Sequence, residues 1–571
     1  MFAKSVWLIG AVLIGGCSSS APERYDASAF YSTTSYTVAE GFAWSADGQK
    51  LLLTSDESGI ANAYALSMTG AAKAALTGST TDSTYAVSWF PGDARALVRA
   101  DRGGNELMHL YVRESSGALR DLMPDSTGKA DFLGWAADGS SFYVLSNERD
   151  PKTFDLYRYS VQDYTRSLVF KNQLAWEITA ISGDGRYLAL VKNHSSADSD
   201  IYLLDVSSGE SAPQLITKHT GEVAYSASGF TPDSGKLIYS TDEHGEFRQA
   251  WTYDVATAAK SLLVKADWDV RSVSFSASGR YLVWSINQDA RTVTHIRDTQ
   301  TNAEVVLPKL PKADVLKVYF SRDEQRLALV LGSDISPNDI YSVDLNAGTS
   351  KRLTHALNPK IREDVLVMSQ VVRYQSFDGL QIPALLYRPK LASATQRVPA
   401  VVWVHGGPGG QSRTGYSAMI QHLVNHGYAV LAANNRGSSG YGKTFFHSDD
   451  KRHGDVDLQD IVHAKQYLAG LDWVDGQRVG IMGHSYGGYM VGAALAFSPQ
   501  TFNAGIDIFG VMNWARTLSS VPPWWEAQKK SIYDEMGDPA TDAERHRRIS
   551  PLFHAKNIRA PLLVVQGKND P

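Results

Sequence analysis

Cysteine is almost missing from this chain: there is one, Cys17, in 571 residues. A lone cysteine excludes an intrachain disulfide and a thiolate metal site, so stability has to come from packing. No H-E-x-x-H pattern and no cysteine cluster occur, so no metal motif is present and no cofactor is called for. A long basic stripe is absent too. The formal net charge is −5, and "RHRR" at 545–548 reads as a solvated helix face, which argues against nucleic acid as a partner. What the chain has in quantity is apolar and aromatic material, 43% hydrophobic residues with 13 Trp and 27 Tyr, enough for large cores.

The N-terminus reads separately from the fold. "MFAKSVWLIGAVLIGGC" carries one cation, Lys4, then an apolar stretch from Val6 to Ile14, then Gly15 and Gly16. That is a secretory signal peptide over 1–16, too short to span a bilayer. "IGGC" at 14–17 resembles the bacterial lipoprotein signal. The resemblance implies cleavage before Cys17 and lipid attachment to it; the alternative is an ordinary signal peptide with a chance cysteine. The polar residues that follow read as a tether over 17–35, and Ser18 is compatible with sorting to an outer membrane, facing the periplasm.

A repeat organises the next 327 residues. "WSADG" (44–48), "FPGDA" (90–94), "WAADG" (135–139), "ISGDG" (181–185), "FTPDS" (230–234), "FSASG" (275–279) and "FSRDE" (320–324) recur every 45 to 49 residues. Each precedes a β-rich run such as "KLLLT" or "YLALV", and further strands such as "DIYLLDV" (200–206) follow. Short strands and turns at a fixed period of this length predict a β-propeller, here of seven blades over 36–362.

Past residue 362 the pattern changes to strands alternating with helices. "PAVVWVHGG" (399–407), "YAVLAANNRG" (428–437), "RVGIMG" (478–483), "NAGIDIFG" (503–510) and "PLLVVQG" (561–567) read as buried strands. "DVDLQDIVHAKQYLAGL" (455–471) has apolar helical spacing, with acids in its first turn that suit the dipole. Residues 363–571 are therefore predicted to form a doubly wound, mainly parallel sheet, whose ligands sit at the strands' carboxyl ends.

Two motifs carry chemistry. "GHSYG" (483–487) is a G-x-S-x-G between an apolar strand and a small-residue helix, the setting of a nucleophile elbow that lifts the Ser485 hydroxyl clear of the sheet. "HGGPGG" (405–410) ends another strand and would supply pre-placed N–H donors for an oxyanion. One donor is the N–H of Tyr486; the Gly406–Gly407 segment is the source of the other. A serine nucleophile needs a base, and the base an orienting acid, in the order Ser, acid, His along the chain. Asp570 fits the acid. All 15 histidines precede it, the last being His554. The expectation is that the chain is C-terminally incomplete, lacks the catalytic His and is inactive as it stands.

Together "GHSYGGYM" (483–490), "HGGPGG" (405–410), "NNRGSSGYG" (434–442) and "SPLFHAKNIRAPLLVVQGKNDP" (550–571), behind a propeller, resemble the prolyl oligopeptidase family of serine peptidases, most of all its acylaminoacyl-peptidase and bacterial dipeptidyl-peptidase branch. The resemblance implies an α/β-hydrolase fold and cleavage of short peptides through an acyl-enzyme. It implies Ser485 as nucleophile, Asp570 as triad acid, and the N–H groups of Gly407 and Tyr486 as the oxyanion hole. Tyr486, Val511 and Trp514 would line the pocket for the side chain before the scissile bond. Where some branches place an oxyanion tyrosine this chain has His405, and it has no Glu-Glu pair to clamp a free amine. Arg436 reads as a structural ion-pair partner. The other readings are an esterase using the same triad, or a non-catalytic propeller lipoprotein. Cleavage-site preference and self-association stay open.

Overall fold

The computed structural model describes residues 22–70, 72–208, 212–568 and 570. Residues 1–16, expected to be a signal peptide, and Cys17 lie outside the described residues. Residues 36–352 form seven sheets, one after another along the chain, six of four strands and one (270–298) of three. Every strand in them pairs antiparallel with its neighbour in sequence. Among the described residues the first blade shares no strand with the last. Side chains close the ring instead: Tyr36, Leu51 and Leu53 of the first blade pack in one cluster with Ala328, Val330 and Ile340 of the seventh.

The repeated phrases turn out to be the tight turns between first and second strands. Their fifth residues Gly48, Gly139, Gly185, Ser234, Gly279 and Glu324 all take positive φ, from 54° to 80°. Glycine is favoured there because a Cβ is disfavoured in that region. In four of the seven phrases the fourth residue accepts from the hydroxyl two positions before it, as where Ser45 Oγ donates to Asp47 at 2.6 Å and Thr231 Oγ1 to Asp233 at 2.5 Å. The repeat is thus a tight turn copied around a ring, locked by a side chain in those four copies.

The second domain is one seven-stranded sheet. Its strands are β1 (Gln370–Gln375), β2 (Gln381–Tyr387), β3 (Val398–Val404), β4 (Ala429–Ala433), β5 (Val474–His484), β6 (Gly505–Ile508) and β7 (Leu562–Val565), in the spatial order β1-β2-β4-β3-β5-β6-β7. From β4 onward in that order the pairings are parallel. Helices α1 (Ala418–Asn425), α2 (Val456–Ala469) and α3 (Tyr486–Phe497) make the crossovers. The predicted doubly wound sheet is therefore present.

Two expectations need correction. The run 561–567 was read as a buried strand, yet Leu563, Val564 and Val565 are 57%, 55% and 46% exposed. β7 is the sheet's edge and pairs only with β6 among the described residues. The stretch 17–35, read as a tether, also departs from that reading where it is described. Helix Ala27–Tyr31 docks on the second domain: Phe30 is fully buried against Ile361 and Val365, and Tyr25 N donates to Asn425 Oδ1 at 2.9 Å. Tyr25 and Phe30 are enough to anchor it, while Tyr31 stays exposed.

Candidate active site

Strand β5 ends at His484 and helix α3 begins at Tyr486, so the chain reverses within one residue. That residue, Ser485, has φ 55° and ψ −119°. A non-glycine residue held there stores about 1–3 kcal/mol of strain, which the surroundings must fix in place. The flanking glycines show how. A Cβ on Gly487 would lie 2.1 Å from Val404 O, and one on Gly483 would lie 2.5 Å from the Gly487 carbonyl. Ser485 N donates to Ile508 O at 3.0 Å, and Ser485 O accepts from Tyr489 N at 3.0 Å to start the helix.

Register puts the second motif beside the first. Val404 of β3 pairs with Gly483 of β5, so the turn 405–410 leaves the sheet next to the elbow. A Cβ on Gly406 would lie 3.4 Å from His484 O. The turn folds tightly on itself: Gly407 has φ 144°, and a Cβ on Gly410 would lie 2.0 Å from Gly406 O. The amide N–H groups of Gly407 and Tyr486 donate to no acceptor among the described residues. The structure thus brings Gly407, Ser485 and Tyr486 to one place with two free donors.

His405 locks the turn. Its Nδ1 donates to Gly406 O at 2.8 Å, and Nε2 lies 2.8 Å from Ser438 Oγ, whose own proton goes to Asn435 O at 2.6 Å. Burial, helped slightly by His484, pulls its pKa down to about 4. His484 turns away from Ser485, with its ring against Trp403 and Phe509 at 5.8 and 6.2 Å. His554 packs on Phe497 at 5.2 Å. Asp570 follows β7, whose Val565 pairs with Ile508, and so emerges at the same end of the sheet as Ser485. Its Oδ2 accepts from Gln566 Nε2 at 2.8 Å. Among the described residues no histidine bonds to Ser485 or Asp570.

Tyr486 and Trp514 meet at a ring distance of 6.0 Å and are nearly closed to solvent, with Val511 partly buried beside the same core. The Tyr486 hydroxyl donates to Asp457 Oδ2, whose Oδ1 accepts from Gly454 N at 2.7 Å. The acids of α2 are therefore not only dipole partners, as the sequence suggested. Asp457 and Asp460 are fully buried. They lie on the face that carries Ile461, Ala464 and Leu468, and that spacing was a readable sign. Arg436, expected to be structural, bonds to Asp460 from Nε and Nη2 and to Asp378 from Nη1 at 2.8 Å. Sequence reasoning missed the group behind the elbow, where buried His453 lies 3.5 Å from Asp449 and 3.7 Å from Glu535. Burial first, and then the neighbouring acids Asp457, Glu535 and Asp450, push Asp449 up, although His453 opposes them.

Comparison with known proteins agrees with this layout. The profile of the prolyl oligopeptidase N-terminal beta-propeller domain matches residues 20–356, and that of the prolyl oligopeptidase family matches 414–571. Dipeptidyl aminopeptidase BIII of Pseudoxanthomonas mexicana is 29% identical over 92% of this chain and 78% of its own length. The acylamino-acid-releasing enzyme of Rattus norvegicus is 26% identical over 65% of this chain and 54% of its own. Among solved structures, a puromycin-hydrolyzing peptidase of Mycobacterium tuberculosis aligns with a TM-score of 0.78 at 18% identity, covering 95% of this chain and 86% of that one.

Proposed function

The chain belongs to the prolyl oligopeptidase family of serine peptidases, and from that premise we propose that it cleaves short peptides through an acyl-enzyme on Ser485. The observation that carries the reading is the backbone of Ser485, held at φ 55° beside two free amide donors. Attack forms the bond from Ser485 Oγ to the scissile carbonyl carbon while the hydroxyl proton passes to a base oriented by Asp570. The N–H groups of Gly407 and Tyr486 hold the oxyanion; one such donor contributes about 3–4 kcal/mol elsewhere. Collapse breaks the C–N bond, the amine leaves with the proton, and water then hydrolyses the ester. None of the described histidines is assigned as the base. The P1 side chain would meet Val511, with Tyr486 and Trp514 nearly closed to solvent behind it.

The ring restricts entry to short extended substrates and limits bulk water at the acyl-enzyme. Two relatives bear names for action at a peptide's end, which suits that restriction. We further propose lipid attachment at Cys17, which would hold the enzyme at a bacterial envelope membrane. Fluorophosphonate treatment followed by mass spectrometry tests the core of the reading. In the full-length protein an adduct on Ser485, absent from Ser485→Ala, is expected; an adduct elsewhere, or none, would reject it. Matched peptide and ester substrates separate a peptidase from an esterase. Loss of palmitate incorporation in Cys17→Ala tests the anchor.

A further inference from the structure

Next to the 405–410 turn lies a cavity of about 550 Å³ between blades five and six and the second domain. Arg248, Arg271 and Arg413 line it, together with Gln411 and Asn287. Among the described residues, none of these three guanidiniums comes within ion-pair distance of a carboxylate. Arg413 uses only neutral acceptors: Nη1 donates to Gln411 Oε1 at 2.9 Å and Nη2 to Thr292 Oγ1 at 2.8 Å. A guanidinium has five N–H bonds, so it keeps donors to spare.

The cavity's acids are already engaged. Glu246 takes Thr444 N at 3.0 Å and Thr444 Oγ1 at 2.9 Å. Asp269 takes Arg248 N at 2.8 Å, and Asp242 takes Ala224 N at 3.0 Å. Asp314, the acid whose charge Arg413 feels, accepts from Thr292 N at 3.3 Å and Thr414 Oγ1 at 3.1 Å. Burial first, then the like charge of Arg271, pulls Arg413 down to about 10. The Gln411 amide adds an unsatisfied buried donor, Nε2. Two like-charged guanidiniums and an idle N–H facing one space favour an anion there.

We propose that this cavity is a carboxylate subsite in which Arg271, Arg413 and the Gln411 amide receive the C-terminal carboxylate of a short peptide. The inference rests on the peptidase reading for the peptide itself. Gly409 and Gln411, two and four residues after Gly407, also line the cavity, so a carboxylate held there is held at a fixed reach from the oxyanion donors. The site would measure a substrate from its end.

Arg413 also ties the ring to the second domain, so its replacement can loosen the interface. Arg271 is exposed on the inner strand of its blade and makes the cleaner variant. The test is calorimetric titration of the full chain with acetyl-trialanine as free acid, as C-terminal amide, and as an amide with Asp at the middle position. The expected result is about tenfold tighter binding of the acid than of either amide. Arg271→Met should remove most of that preference and leave amide binding unchanged. Equal binding of acid and plain amide, no binding of any, or an acid preference that survives Arg271→Met would overturn the proposal. Tight binding of the Asp amide alone would assign the arginines to a side chain and overturn it as stated. Fluorophosphonate labelling of Ser485 reads the peptidase assignment separately. A labelled chain without acid preference fails only the subsite, and an unlabelled chain with it fails only the peptidase.

Discussion

The ring and the hydrolase domain bury apolar surface in opposite ways. In the ring each cluster is shared by two adjacent blades: Leu188 and Leu190 pack with Tyr143 and Leu156, and Leu237 and Tyr239 with Ala189 and Ile201. In the hydrolase domain one main cluster runs from Tyr374 to Ile549 and includes Ile481, Tyr486 and Trp514. A ring of nearest-neighbour interfaces confines damage to two blades. A continuous core conveys it to the elbow, because Tyr486 belongs to both.

Breaking the elbow itself gives the largest expected effect. Gly487→Ala sets a methyl 2.1 Å from Val404 O, backbone against backbone, so the helix and the turn must separate. Displacements near 1 Å cost about a hundredfold in reactivity. Fluorophosphonate labelling of Ser485 should fall at least that far. Gly134→Ala in the ring, where a Cβ would meet nothing within 4 Å, should label as the parent does. Equal losses in both would mean that the elbow is not special.

Charge sharpens the contrast next. Arg436 is 4% exposed and Asp460 fully buried, so Arg436→Met leaves a carboxylate unpaired inside the core. The expected cost is about 3–5 kcal/mol in urea unfolding of the hydrolase transition. Arg99 faces Asp131 at 3.9 Å on the ring's surface, with both side chains about half exposed, and Arg99→Met should leave the midpoint where it was. Core truncation then tests how far damage travels. Ile481→Ala and Leu188→Ala each remove a buried side chain and should each cost about 2–5 kcal/mol. Only Ile481→Ala should also slow labelling of Ser485.

The same contrast explains what could be read in advance. The ring was legible because its turn chemistry repeats: six of seven phrases place positive φ at the same position, so even Ser234 and Glu324 stand out by alignment with Gly48 and Gly139. The elbow and the oxyanion turn were legible because close backbone approach demands glycine, and glycine is visible in a sequence. What stayed hidden depends on which elements become neighbours. Nothing local sets Arg271 beside Arg413 across domains. Asp457 and Asp460 could have been suspected from their helix face, but their partners Tyr486 and Arg436 are 29 and 24 residues away.

Two histidines carry the comparison into pH. Burial holds His405 at about 4, below its ordinary value of 6.5. The unfolded chain takes up a proton that the folded ring refuses, so this stabilisation is full above 6.5 and is lost as pH falls toward 4. Between pH 7 and pH 5 the loss is about 2 kcal/mol, from about 1.4 kcal/mol per unit. Asp507, raised to about 6 by burial, works against it, since its contribution is lost as pH rises from about 4 to 6. The measurement is therefore the stability difference between the parent and His405→Gln, which should shrink on acidification. In the ring, burial alone would lower His219, but the Thr217 carbonyl and Asp198, each at 2.8 Å, raise it. Its contribution is full below the ordinary value and lost as pH rises through the raised one, so the difference from His219→Gln should shrink in the opposite direction. Parallel slopes for the two variants would show that the buried turn in front of the elbow and the blade interface treat a proton alike, contrary to their hydrogen bonding.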